Sequence, residues 1–449
     1  MSSKLLSSEF GVNQFGVRSL SVRSCVLPKV VPSVKGLQLS RSLNFELTSL
    51  EPVNSELRTE MTSVLIIIEN LPLPVDRRVW QEACTLRDAG YQVSVICPKQ
   101  GAFTASHESM DGIEVYRYPL REGSSPLSYV FEYLMAFLGQ MTLAVRIYRR
   151  TRFRVIQACN PPDTIFLVGA FFKLFGVRFI FDHHDLNPEL FEVKYGARGV
   201  LYRLVCLAER FTYRTADVSI ATNASYRQVA IERGRMPAER VFVVHSSPDL
   251  RNVQLGPPRV DLKRGRRFLV LYLGTMGPQD GVDLLLEAAA RVTAARDDTS
   301  FVLVGGGPEV PRLKAQATAK GLDGVLQFAG VRVGKDLAEY LSTADVGVAP
   351  DPKNPMNDKS TMNKILEYMA YGRPLVLFDL TEGRRAAGDA ALYAQPNDPE
   401  DLANKILELL NSEELRRELG QRGRKRIEQR FNWDLEAKVL LQAYEAALG

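Results

Sequence analysis

From Met61 onward the chain alternates short apolar runs with longer segments of helical periodicity. The run SVLIIIE, residues 63–69, is apolar almost throughout, as expected of a central parallel strand covered on both faces. A Pro-containing loop, Asn70 to Val75, leads into a helical segment from Asp76 to Ala89 that stops at Gly90, and a second strand, YQVSVICP, follows. The unit returns as RVIQACN (Arg154 to Asn160), an apolar helix from Asp163 to Phe175 stopped by Gly176, and the strands VRFIFD, ADVSIATN and RVFVVHSSP. Around Gly256 to Gly265 the pattern lapses into PPRVDLKRGRR, a Pro, Gly and basic stretch suited to a linker. It then restarts: RFLVLYLG, a helix from Val282 to Ala295, SFVLVGGGP, a helix to Lys320, and the strands LQFAG, ADVGVAP and PLVLFD. Two charged or amphipathic helices, Glu413 to Arg430 and Asp434 to Leu448, close the chain. This repeated strand-helix-strand order predicts an α/β protein of two doubly wound domains. The expected divisions are 61–255, a linker at 256–266, 267–430, and a last helix at 431–449 that packs back on the first domain.

Length supports that division, because 449 residues exceed what one core organises. A composition of 45% hydrophobic and 24% charged residues is that of a soluble globular protein. A net charge of +5 is mild over this length, so nucleic acid is not indicated. A pI near 8.8 still favours anionic small molecules or an acidic membrane surface. The cysteines at 25, 84, 97, 159 and 206 are scattered and form no CxxC pair. They suggest neither a disulfide framework nor a zinc site, and they fit a reducing cytoplasm. Residues 1–60 are rich in Ser and Arg and lack periodic apolar pattern, so they read as a disordered tail or an over-extended start, with some likeness to a transit peptide.

In a doubly wound sheet ligands gather at the carboxyl ends of the strands. Asn70, Asn160, the His183-His184-Asp185 group, Asn223 and Ser246 all fall there. In the second half the stretch Asn357 to Pro374 follows an apolar strand and begins with polar, helix-starting residues. Ser360 and Thr361 are N-cap types, so the first-turn N–H groups, the helix dipole and Lys364 converge on one point where an anion could sit. Glu367, one turn on, adds a carboxylate able to accept from hydroxyl groups. An ordinary capped surface helix with a Lys-Glu pair accounts for the same residues. The strand-to-helix turns at Gly274 and at Gly305 to Gly307 are consistent with backbone approaching a pyrophosphate. One segment stands apart: Pro126 to Tyr148 is nearly all apolar or aromatic, carries one acid, Glu132, and runs into Arg146, Arg149, Arg150, Arg152 and Arg154. It reads as a core helix with a solvated basic end, as a helix lying on an anionic bilayer, or as a membrane span, which the central acid disfavours.

The motifs LVLYLGTMGPQDGVD, FVLVGGGP, QFAG, ADVGVAP, NKILEYMAYGRPLV and FNWD together resemble those of the family-4 retaining glycosyltransferases of the GT-B fold. DRRVWQEACTLRDAGYQVSVICP and FDHHDLNPE are similar to segments of members that build bacterial polysaccharides. The resemblance runs from Met61 to the end. It implies two Rossmann-like domains facing each other across a cleft, the first (61–255) for the acceptor and the second (267–430) for a nucleotide-sugar donor. By the resemblance, Glu367 matches the second glutamate of an E-x7-E motif that holds the donor ribose. Gly305, Gly306, Gly307 and Pro308, with Val331 and Arg332, match nucleoside-binding positions. Gly274, Thr275 and Gly277 match the loop near the donor diphosphate, and His184 matches the acceptor-side histidine. Asp185 is expected to orient or charge that imidazole, and His183 remains a second candidate one position away. Asn70, Asp76, Arg77 and Asn160 complete the expected acceptor side.

Three positions depart from the family pattern. Lys359 stands where the first glutamate of E-x7-E belongs, and Met276 and Asp280 replace the Arg and Lys that commonly grip the diphosphate. Lys364 and Lys359 are the expected replacements, since a cation still has to offset charge developing on the leaving group, and Ser360 is expected among the donor-binding residues. No DxD triplet occurs, so no metal and no cofactor beyond the donor substrate are expected. The resulting expectation is metal-independent, retaining transfer from a UDP-sugar to a glycan or lipid-linked acceptor, with peripheral contact at the inner face of the plasma membrane. Two competing readings are an epimerase of UDP-N-acetylglucosamine, which would convert donor without acceptor, and a non-catalytic membrane partner, which would bind no nucleotide.

Overall fold

The computed structural model describes residues 61–120, 126–196 and 198–449, with side chains at 126–133 and 194 excepted. The expectations for residues 1–60 and for Glu132 therefore lie outside what is described. The first sheet contains β1 (Ser63–Ile67), β2 (Gln92–Lys99), β3 (His107–Met110), β4 (Ile113–Pro119), β5 (Val155–Cys159), β6 (Arg178–His183), β7 (Val218–Ala221) and β8 (Val241–Val243). Their spatial order is β3-β4-β2-β1-β5-β6-β7-β8, parallel except for the β3–β4 hairpin. The second sheet contains β9 (Phe268–Leu273), β10 (Thr299–Val304), β11 (Leu326–Gly330), β12 (Val346–Ala349), β13 (Leu375–Phe378) and β14 (Ala391–Ala394). Its order is β11-β10-β9-β12-β13-β14, parallel throughout. In both sheets the order reverses beside the first strand, which opens a crevice at the carboxyl ends, beyond β1 and β5 in one and β9 and β12 in the other.

The apolar runs became strands because helices cover both faces. Every residue of β1 is buried. One face meets Phe153, Phe172 and Phe179. The other meets Val79, Ala83 and the last helix, Trp433–Leu448, through Leu440, Ala443 and Tyr444. That helix therefore belongs to the core of the first sheet although it follows the second in sequence. Trp433 Nε1 donates to Thr85 Oγ1 at 2.9 Å and Tyr444 Oη to Gln157 Oε1 at 2.7 Å. The stretch 256–266 contains a short 3-10 turn, Val260–Lys263, and is tied to the second domain through the Lys263–Asp345 ion pair at 2.7 Å. Among the described residues no helix is long and apolar enough to cross a membrane, the 26-residue helix Pro126–Thr151 included.

Candidate active site

The two crevices face each other, and polar contacts span them. Asn223 Nδ2 donates to the carbonyl of Lys359 at 2.9 Å, and Ser225 Oγ donates to Glu382 at 2.6 Å. Lys359 Nζ pairs with Glu189 at 2.9 Å and Arg77 with Glu367 at 2.6 Å. Between the sheets lies a cleft of about 1300 Å³. From the first sheet it is lined by Asn70, Asp76, Arg77, Arg78, His184, Asp185 and Ser246, and from the second by Thr275, Asp280, Val331, Arg332, Ser360 and Asn363.

His184 stands just past the end of β6 over a buried charged network. Its Nε2 lies 2.8 Å from Asp182 Oδ2 and 3.1 Å from Arg78 Nε. Burial alone would lower its pKa, but the Asp182 carboxylate outweighs burial and raises it. The hydrogen-bonded partner of this imidazole is Asp182, two residues back, and not the Asp185 expected from sequence. Asp182 is held below the usual carboxylate range: burial opposes ionisation, and the Arg78 guanidinium, donating at 3.0 Å, overcomes it. Glu82, 3.1 Å from Arg78, is pushed up to about 8 by burial and by Asp182. The network therefore favours ionised Asp182 against the Arg78 guanidinium and disfavours a second charge on Glu82. Asn160, expected at the acceptor, is instead a buried brace. Its Oδ1 accepts from the backbone of His184 and Asp185 at 2.7 and 3.2 Å, and its Nδ2 donates to the Asp185 carbonyl at 2.7 Å.

His183 points the other way, into the core. It is fully buried, packs on Phe181, and its Nδ1 lies 2.8 Å from the Tyr213 hydroxyl. It is removed as an acceptor-side residue. Burial, with Arg233 nearby, pushes its pKa down to about 3. A folded-state value below the unfolded value near 6.5 means that its contribution to stability is complete above pH 6.5 and is lost as pH falls toward 3. The urea midpoint of the native chain should therefore fall further between pH 7 and pH 4.5 than that of His183→Gln. Parallel losses would mean that His183 does not titrate in this range.

The second wall also departs from expectation. The helix after β12 is Asn363–Ala370, with Met362 at its N-cap and no side-chain cap. Ser360 and Thr361 fall short of it, and Ser360 Oγ bonds the Met356 carbonyl and Tyr226 Oη instead. Lys364, expected on the diphosphate, is buried under the glycine loop, pairs with Asp351 at 2.7 Å and lies 4.8 Å from the centre of the Tyr272 ring. Burial lowers its pKa and Asp351 more than restores it, so its charge is already balanced. Lys359 is likewise engaged, with Glu189 across the cleft. Glu367 is held by Arg77, itself half-exposed. Gly277 N–H donates to Asp280 Oδ2 at 2.8 Å, and burial raises that carboxyl to about 6. The glycines at 305 and 307 are required by backbone: a Cβ there would lie 1.8 Å from the Gly274 carbonyl and 2.5 Å from that of Met276. The 305–308 turn therefore stacks behind the 274–277 loop, and the cleft receives Thr275, Val331 and Arg332 from this corner.

Cys159, Asp182 and His184 bring ligand atoms within 4.8 Å of one another. The Arg78 guanidinium already fills the cation's place beside Asp182, and burial and the two carboxylates hold the Cys159 thiol protonated. This set does not fit a metal ion. Arg78 is the residue that sequence reasoning missed, and the tandem arginine of DRRVW at a helix start was its one signal.

The family model described as glycosyl transferase 4-like domain matches residues 75–246, and that of glycosyl transferases group 1 matches 267–412. The chain is 32% identical to a D-inositol 3-phosphate glycosyltransferase of Geodermatophilus obscurus, covering 49% of this chain and 54% of that one. It is 26% identical to an alpha-D-kanosaminyltransferase of Streptomyces kanamyceticus, covering 48% and 56%. The chain thus spans about half the length of the curated relatives it matches. Sucrose-phosphate synthase of Thermosynechococcus elongatus superposes with a TM-score of 0.69 at 21% identity, over 86% of this chain and 98% of that one. The Anabaena protein HepE in complex with UDP and glucose superposes with a TM-score of 0.66 at 17% identity, over 86% and 100%. With the fold shared along the chain and a family match in each half, this protein belongs to the group 1, family-4 glycosyltransferases and is built on the GT-B fold.

Proposed function

We propose that this protein transfers a sugar from a nucleotide-diphosphate sugar, a UDP-sugar, to a glycan or lipid-linked acceptor, with retention and without a metal ion, in cell-surface polysaccharide synthesis. The observation that carries this reading is the cleft, which sets the His184–Asp182 pair on one wall opposite Thr275, Val331 and Arg332 on the other. The bound UDP in the related HepE structure supports the donor class. In this reading His184 steadies the attacking hydroxyl and the departing sugar. Arg332 and the first-turn N–H groups of Asn363–Ala370 offset the diphosphate charge, since Lys364 and Lys359 are spent on Asp351 and Glu189. Glu367 takes the ribose hydroxyls after releasing Arg77. The basic end of Pro126–Thr151 rests on an anionic membrane that presents the acceptor.

The test is a panel of nucleotide sugars, each incubated with and without a polyprenyl-phosphate-linked glycan, in EDTA. Transfer that needs the acceptor and survives EDTA is the expected result. Conversion of the donor alone identifies an epimerase, and rescue only by Mg²⁺ or Mn²⁺ overturns the metal-free step. Within the same assay, Glu367→Gln should weaken UDP binding by about 1–3 kcal/mol, the range for a charge-assisted hydrogen bond. Arg77→Ala should tighten it slightly, by about 0.2–1 kcal/mol, because a half-exposed ion pair no longer competes for Glu367. Calorimetry with UDP that shows no change in either variant would move the ribose away from Glu367.

A further inference from the structure

A second cavity, of about 590 Å³, lies away from the cleft at the amino-terminal ends of β6, β7 and β8. Six arginines line it, Arg178, Arg210, Arg214, Arg233, Arg235 and Arg240, and Asp217 is the one acidic side chain among its described lining residues. They come from a strand, a helix, a loop and a 3-10 turn, so they are not one helix's solvated face. Arg233 is committed to Glu189 and Glu209, and Arg240 donates to the Ala446 carbonyl. Arg178 lies 3.8 Å from Asp217, which Lys173 also holds. Among the described residues, Arg210, Arg214 and Arg235 have neither an ion pair nor a side-chain hydrogen bond. Uncompensated guanidinium groups converging on a concavity favour an anion with several acceptor oxygens, and phosphate geometry suits them.

The rim of this cavity decides which anion. Arg210 and Arg214 belong to the helix Val200–Thr215. On the same helix Val200, Leu204, Leu207 and Phe211 recur at helical spacing and are 73%, 54%, 44% and 42% exposed in that order, and the neighbouring Leu201 is 64% exposed. Phe211 stacks on Phe166 at 5.5 Å, and the adjoining Phe171, Leu174 and Phe175 are exposed as well. Tyr148 of Pro126–Thr151 packs on Phe175 at 5.8 Å, which joins the exposed Arg149 and Arg150 to the same face. Of the helices Val200–Thr215, Phe166–Lys173 and Pro126–Thr151, the one acid whose side chain is described is Glu209, and it is buried; Glu132 lies outside the described side chains. An apolar face bordered by arginines, with no exposed acid among the described side chains of these helices, matches the layering of an anionic bilayer, with phosphates at one depth and acyl chains beside them.

We propose that the arginine-lined cavity binds the phosphate headgroup of an anionic phospholipid while the Val200–Phe211 stripe lies in the headgroup and acyl boundary. The proposal rests on the peripheral-membrane reading above and adds to it a headgroup site outside the Pro126–Thr151 helix. The full chain is sedimented with vesicles of phosphatidylcholine alone or mixed with phosphatidylglycerol. The native chain should partition onto the anionic vesicles. Arg210→Gln/Arg214→Gln/Arg235→Gln should lose about a hundredfold, since a basic side chain at such a surface contributes about fivefold. Leu204→Ser/Leu207→Ser should also bind less, and both variants should keep the native thermal midpoint and UDP affinity. A charge-matched control in the second domain, Arg417→Gln/Lys425→Gln/Arg430→Gln, should stay within a few-fold of the native chain. Loss equal to the control, or none in the arginine variant, overturns the headgroup site while leaving the peripheral reading standing. Indifference of the native chain to lipid charge overturns both. Inorganic phosphate that raises the thermal midpoint of the native chain but not of the arginine variant, without vesicle binding, would assign the cavity to a soluble phosphorylated ligand instead and overturn the lipid.

Discussion

His184→Ala is expected to lower kcat by about 10²–10⁴-fold, the range for a positioned acid–base or charge-stabilising side chain, while UDP affinity stays near its native value. The imidazole lies on the first domain's wall of the cleft, the side proposed for the acceptor, opposite Thr275, Val331 and Arg332, the corner proposed for the donor. Its removal takes away an interaction made as the bond breaks and leaves the nucleotide contacts in place. Asp182 sits 2.8 Å from Nε2 and raises the imidazole's pKa, so Asp182→Asn should lower kcat too and shift the pH–rate profile to lower pH. An Asp185→Asn change should do neither. The check is kcat and kcat/KM for the three variants with authentic acceptor, alongside calorimetry with UDP. Near-native kcat in His184→Ala, or an unmoved profile in Asp182→Asn, would remove the pair from the reaction.

Arg78→Ala should destabilise the fold by about 3–5 kcal/mol, because removing one member of a buried ion pair strands the other charge. Arg78 is 8% exposed. It serves Asp182 at 3.0 Å, Glu82 at 3.1 Å and the Val244 carbonyl at 2.7 Å, so it ties β6 and the end of β8 to the helix Arg77–Asp88. Arg78→Lys should recover little, since one ammonium cannot reach all three acceptors. Arg78→Ala/Asp182→Asn should recover part of the loss, because the stranded carboxylate is gone. Urea unfolding of the three variants at pH 7 measures this. A loss under about 1 kcal/mol in Arg78→Ala would mean that water reaches the network, the ordinary outcome for an exposed pair.

Much of the architecture was legible in the chain because it depends on local pattern. The continuous apolar runs at β1, β9 and β10 announce strands covered on both faces, and Gly90 and Gly176 mark where helices end. The β3–β4 hairpin escaped notice. HESM has little apolar character, but Asp111-Gly112, both at positive φ, is a hairpin signal that was there to be read.

What the sequence by itself determined was the two-sheet plan and which residues stand at the strand ends, because strand positions and their boundaries follow from hydrophobic period and turn residues. Which side chains work together was decided by the tertiary structure. His183 and His184 are adjacent in sequence, yet at the end of β6 one turns into the core against Tyr213 and the other lies over Asp182. Lys364 and Lys359 looked like free cations, and only packing brought Asp351 and Glu189, distant in sequence, to balance them. Arg77 reached Glu367, and Tyr444 reached Gln157, across 290 and 287 residues. Such pairings depend on how two sheets and a returning helix meet, and residue type and spacing carry no record of that meeting.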